Sequence, residues 1–132
     1  MLDHTTAKEL LYTHIQNQNL RNHHLASECV MRTFARKFGG NEDEWGLSGL
    51  LHDLDWELTK DTPDRHTAVT EELLKEYNLP ETVINTIKAH HPEASGRTPE
   101  TIMEKTIFYT EELTGLVVAT ALVQPDKKLS GV

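Results

Sequence analysis

The chain is 132 residues long and carries 21 acidic, 13 basic and eight histidine side chains, for a net charge of -8 at pH 7. That length implies one domain with a core able to stand without staples, and the single Cys29 excludes an internal disulfide or a CxxC zinc site and fits a reducing, cytoplasmic setting. The acidic balance, with no basic run longer than Lys127-Lys128, argues against duplex nucleic acid as a partner; no apolar run approaching a ~20-residue membrane span is apparent and the start MLDHTTAKEL is not a signal peptide, so a soluble protein with no membrane partner is expected.

In chain order the pattern predicts helices alone. Thr6 and Glu9 are spaced as a capping box ahead of Leu10, Leu11 and Ile15, which predicts a first helix from about Thr6 to Gln18. Asn22 is expected to cap a second helix that runs to Phe38 and stops at Gly39-Gly40. Its stripe of His23, Ser27, Val30, Met31, Phe34 and Phe38 recurs at helical spacing. Asn41 and Glu44 start a third helix, which carries Trp45, Leu47, Leu50 and Leu51 into His52-Asp53, and a loop is expected from Leu54 to Pro63.

Asp64 is expected to cap a fourth helix whose inner face carries His66, Val69, Thr70, Leu73 and Tyr77. Pro80 opens a fifth, with Val83, Ile84, Ile87, His90 and His91 in register, and Pro92 ends it. After a loop over Glu93–Arg97, Thr98-Pro99-Glu100 restarts a helix with Met103, Ile107 and Glu111 four apart; Gly115 is a point where it can bend, and Pro125 terminates it. No alternating strand pattern, repeat or low-complexity segment interrupts this order, so the fold class is all-α, a compact bundle of about six to seven helices forming one domain over residues 1–132.

His23, His52, Asp53, His66, one of His90 and His91, and Glu111 come from five separate predicted helices, each in register with an apolar stripe. A lone histidine on such a face is ordinarily a core residue bonded to a carbonyl, and His4, His14 and His24 are assigned to that class or to the surface. Burying an unpartnered polar group costs roughly 2–7 kcal/mol, so five converging titratable positions point to a shared ion. Imidazole and carboxylate without thiolate suit iron, manganese, nickel, cobalt or zinc. Three or four ligands hold one divalent ion, and six suit two ions bridged by Asp53 and a hydroxide; such ions lower the pKa of bound water to ~7, which implies hydrolysis by a metal-bound hydroxide.

These residues resemble the HD superfamily of metal-dependent phosphohydrolases, helical-bundle enzymes whose signature is a first His, a His-Asp doublet and a distant Asp. The first His maps to His23 in NHHLASECVM, the doublet to His52-Asp53 in GLLHDLDWE, and the distant acid falls in YTEELTGL. Two-metal branches add histidines, which correspond to His66 in DRHTAV and His90 in IKAHHPE. Glu111 stands where the family places aspartate, one methylene longer. Adjacent histidines are both ligands in the cyclic-di-nucleotide branch, but neighbours on a helix point ~100° apart, so His90 is taken as the ligand and His91 as a substrate contact.

The resemblance implies a small anionic phosphate substrate, a phosphomonoester or a nucleotide phosphate. Lys60, Arg65, Lys88, Arg97 and Lys105 are the nearby cations in sequence. Asp55 and Glu57 are candidates to orient the attacking water or protonate the leaving group beside Asp53, with loop solvation or a bond to His52 as their ordinary roles. Two other readings are an HD-fold di-iron oxygenase and a non-enzymatic binder, either a degenerate HD module or a hemerythrin-like carrier. The carrier's ligand pairs four apart on one helix are missing here.

Overall fold

The computed structural model describes residues 2–132, which form helices and connecting turns with no strand among them. The α-helices are α1 (His4–His14), α2 (Gln18–Phe38), α3 (Glu42–Leu51), α4 (Trp56–Thr59), α5 (Ala68–Leu74), α6 (Glu81–Ala89), α7 (Pro92–Ser95) and α8 (Ile102–Val123). Two of these, α4 and α7, are single turns, which leaves six principal helices. The expected all-α bundle is the observed fold.

The central pair is α2 against α3. A Cβ at Gly49 would stand 2.6 Å from the Ser27 carbonyl oxygen, so the two backbones touch where α3 is about to deliver the His-Asp doublet. Leu50, Leu51 and Leu54 around that doublet are fully buried against Leu11, Ile15, Met31, Ile87 and Ile107. Burial of each such side chain is worth about 1.5–3 kcal/mol. The doublet is thereby fixed to the best-packed part of the molecule.

Several helix starts differ from expectation. Asp3, not Thr6, caps α1: its carboxylate accepts the Thr6 N–H at 3.0 Å. Asn17, not Asn22, caps α2 by accepting from Asn19 and Leu20 N–H, because the extended Ile15 backbone turns the chain there, before Asn22 is reached. The buried face of α2 carries His24, Ser27, Glu28, Met31 and Ala35, while Phe38 is exposed. Close approach of the α3 backbone at Ser27 sets this face inward, with Phe34 packed at its edge.

The segment expected to be a loop over 54–63 contains α4, and the loop over 93–97 contains most of α7, which Gly96 closes at φ 72°. Asp64 caps nothing; Pro63–Arg65 is a 3-10 turn, His66 is extended, and Thr67 takes φ 69° before α5 begins. A β-branched residue at positive φ is costly, and here it sits directly after a site histidine. Thr101, not Thr98, caps α8 through a capping box with Glu104, and the helix is continuous through Gly115.

The membrane expectation needs one correction. At 22 residues and mean hydropathy 1.3, α8 is long and apolar enough to cross a membrane by length and composition, because the Leu116–Val123 run extends a helix already carrying Ile102, Met103, Ile107 and Phe108. Its first half nevertheless belongs to the bundle, with Met103, Glu104, Thr106 and Ile107 buried.

Candidate metal centre

Four imidazoles meet at the centre of the bundle, and the partner of each Nδ1 decides what its Nε2 can do. His52 Nδ1–H donates to the Gly49 carbonyl at 2.8 Å, and His90 Nδ1–H donates to the Ile87 carbonyl. His66 Nδ1–H donates to Asp55 Oδ1 at 2.7 Å. The Thr114 hydroxyl donates to the Glu111 carbonyl at 2.8 Å and so accepts from His23 Nδ1–H at 3.0 Å. With every Nδ1 proton engaged outward, each Nε2 presents a lone pair inward when its ring is neutral.

Those lone pairs face one another. His23 Nε2 lies 3.2 Å from His52 Nε2, and His66 Nε2 lies 3.1 Å from His90 Nε2. Asp53 stands between the pairs: Oδ1 is 3.1 Å from His66 and 3.0 Å from His90, while Oδ2 is 3.4 Å from His52 and 4.0 Å from His23. Glu111 Oε1 closes the first pair at 3.2 Å from His23. Opposed lone pairs repel unless a cation lies among them. The residues form two groups able to hold ions, His23, His52, Asp53 and Glu111 in one and Asp53, His66 and His90 in the other, so the donor set fits a divalent metal.

The electrostatics describe a cluster short of positive charge. Burial opposes charging of His66, yet its bonds to Asp53 and Asp55 outweigh that and raise its pKa to about 9. Burial likewise opposes charge on His52, and Asp53 reverses it to a raised pKa, whereas for His90 burial prevails and the pKa is lowered. Burial alone would raise Asp53, but His52, His66 and His90 hold it well below the ordinary carboxylate range. The His23 bond lowers Glu111. His24 is a core residue, as expected: burial drives its pKa down to about 3, and its Nδ1–H donates to the Leu50 carbonyl at 2.7 Å.

A cavity of about 750 Å³ opens onto the cluster and is lined by His23, Asp53, His66, His90 and Glu111 together with His91. The His91 Nδ1 accepts the Ala94 N–H at 3.3 Å, capping α7 and leaving the ring proton on Nε2. The other expected contacts are elsewhere. Asp55 is fully buried behind His66, and Oδ2 accepts the Thr70 N–H at 3.0 Å, so it orients His66, not His52, and does not line the cavity. Glu57 accepts the Gln16 and Asn17 N–H groups, each at 2.9 Å, and ties α4 to the start of α2.

None of the cations expected near substrate lines the cavity. Lys60 and Lys105 are exposed, Arg65 reaches Glu72, Lys88 pairs with Glu71 and Arg97 is locked onto Glu104. Lys88 and Lys105 lie on outer helix faces, and Lys60, Arg65 and Arg97 lie in turns outside the α-helices, which a one-dimensional distance does not reveal. The remaining lining includes Trp56, Phe108, Tyr109, Glu93 and Glu112, none of which was singled out from sequence. Their only signal is proximity to Asp53, His91 and Glu111; Thr114, one turn beyond Glu111, had the same signal.

A family model described as HD domain matches residues 20–119, a span that contains all six candidate ligands. The ribonuclease Y of Thermotoga petrophila is 32% identical over 95 residues, covering 72% of this chain and 19% of that protein. Ribonuclease Y of Sulfurovum sp. is 39% identical over 82 residues, 62% of this chain and 16% of the relative. That of Fusobacterium nucleatum is 31% identical over 98 residues, with coverage of 74% and 19%. The chain thus spans less than a fifth of the length of these relatives. No solved structure matches.

Proposed function

This chain belongs to the HD domain family, and from that premise we propose that it is a metal-dependent phosphohydrolase that cleaves a phosphomonoester or nucleotide phosphate. The observation that carries the reading is the pair of opposed Nε2 contacts, 3.2 Å and 3.1 Å, with the two oxygens of Asp53 divided between them. That division favours two ions over one. A divalent ion held there supplies Lewis acidity and lowers the pKa of a coordinated water to ~7.

The protein's own side chains do the rest. Asp55 and the Gly49, Ile87 and Thr114 oxygens keep each ring in the tautomer that offers Nε2. His91 offers an Nε2–H toward the cavity, placed to donate to a phosphoryl or leaving-group oxygen. Because the lining contains no lysine or arginine, the positive charge that attracts an anion must come from the ions. That requirement favours a substrate of low charge over a long polyanion. The ribonuclease Y relatives are named for RNA cleavage and are far longer chains, so a phosphodiester is the second substrate class to assay.

The test is metal content per chain for protein purified without chelator or metal resin, beside phosphate release with manganese, iron, nickel, cobalt and zinc. About two ions per chain are expected, with His90→Ala losing one and Asp53→Ala, which removes the residue shared by both groups, losing both along with turnover. Full metal occupancy in both variants, or no metal bound under any condition, overturns the reading.

A further inference from the structure

The cavity over the cluster has an unusual lining. Its acidic side chains are Asp53, Glu93, Glu111 and Glu112, and apart from Leu20 its large apolar surface is aromatic: Trp56, Phe108 and Tyr109. These aromatics are placed on two different elements. Trp56 opens α4 and meets the His66 ring edge to face at 5.5 Å and 83°, which fixes the indole beside the Asp53, His66 and His90 group while 42% of the residue stays exposed. Phe108 and Tyr109 lie in the turn of α8 before Glu111, their rings 5.1 Å apart and edge-packed, with Tyr109 73% exposed.

Exposed aromatics in a cavity bounded by carboxylates suit a ligand with a flat, uncharged π-face and a compact anion that meets the metals. They do not suit a bare sugar phosphate, which would find nothing to stack on, or a polyphosphate, which would meet like charge. Stacking of a base on an aromatic side chain is sequence-tolerant and is worth about five- to a hundredfold in affinity per ring removed.

We propose that Trp56 and Tyr109 form a nucleobase-stacking subsite, so that the phosphate ester this protein processes is carried by a nucleoside, either as a free mononucleotide or at the end of a single strand. The inference rests on the phosphohydrolase reading for where the phosphate sits, but it concerns the base and can be read without turnover. Trp45 is buried at 5% exposure, so Trp56 is the tryptophan whose emission a stacked base quenches.

The experiment titrates intrinsic tryptophan fluorescence of the zinc-loaded protein with AMP, with ribose 5-phosphate and with a short oligoadenylate. AMP is expected to quench saturably and ribose 5-phosphate to compete without quenching. Trp56→Leu should abolish the quench, and Tyr109→Ala should weaken AMP, followed by displacement of a radiolabel, at least fivefold more than ribose 5-phosphate. Tyr109→Phe should restore it. Tighter binding of the oligoadenylate assigns the base to a strand, and tighter AMP assigns it to a mononucleotide. Equal affinities of wild type for AMP and ribose 5-phosphate, or equal losses for both in Tyr109→Ala, overturn the subsite. Saturable quenching without phosphate release under any metal would leave the subsite standing and sink the hydrolase reading instead.

Discussion

At the residue level, the six candidate ligands were legible because a titratable group in register with an apolar stripe is conspicuous wherever the helix begins. Their supports were not. Asp55 reads in sequence as a catalytic acid because it is two residues beyond Asp53, yet the turn after α3 sends it behind His66. Asp55→Asn keeps the volume but replaces the carboxylate that holds His66 Nδ1–H. Metal affinity should fall about 10–100-fold, measured by competition with a chromogenic chelator, while loss of a general acid would leave affinity unchanged. Glu111→Asp restores the family's residue. A changed metal affinity or turnover is expected, and identical values for both would show that this carboxylate does not ligate.

His24 gives a pH dependence with a definite sign. Its folded pKa of about 3 lies below the ordinary 6.5, so the unfolded chain takes up a proton that the folded chain refuses. Stability from this residue is therefore level above pH 6.5 and falls as pH drops from 6.5 toward 3. The loss reaches about 2 kcal/mol by pH 5. Urea midpoints at pH 7 and pH 5 should show it, and His24→Gln should flatten the difference between them.

At the level of elements, helix existence was readable and helix starts were not. Asn17 and Asn22 are equally good caps in composition, and Asp3 competes with Thr6; the choice falls to whichever position the preceding backbone leaves extended, which depends on tertiary contacts. The single turns α4 and α7 are too short to carry a period. Gly49 shows how an element contact governs the site. Its missing side chain lets α3 lie on the Ser27 carbonyl one turn before His52. Since the obstacle is backbone, Gly49→Ala should force the helices apart and cost about 1–3 kcal/mol, seen as a lower thermal midpoint, with a matching loss of metal affinity. A drop in stability with the affinity intact would show that the site tolerates movement of α3.

Across the whole molecule, the ligands bring together parts of the chain that lie far apart in sequence. His23 sits near the start of α2, the doublet follows α3, His66 lies on a strained connector, His90 ends α6 and Glu111 is midway along α8. Among the described residues, the outer part of α8 exposes Leu113, Leu116, Val118 and Leu122, so its hold on the bundle rests largely on its first half and on Glu111 and Thr114 against His23. An ion binding only the folded arrangement stabilises it by mass action, about 3 kcal/mol at a hundredfold excess over Kd, which for a domain of this size is a rise on the order of 10 °C in Tm. The rise should appear on adding manganese or zinc to chelator-stripped protein. It should shrink by half or more in His90→Ala and vanish in Asp53→Ala, while in the wild type hydrogen exchange slows in α8 as well as around the doublet. Equal shifts in wild type and Asp53→Ala would place the stabilising ion elsewhere and remove the reason for α8 to follow the metal.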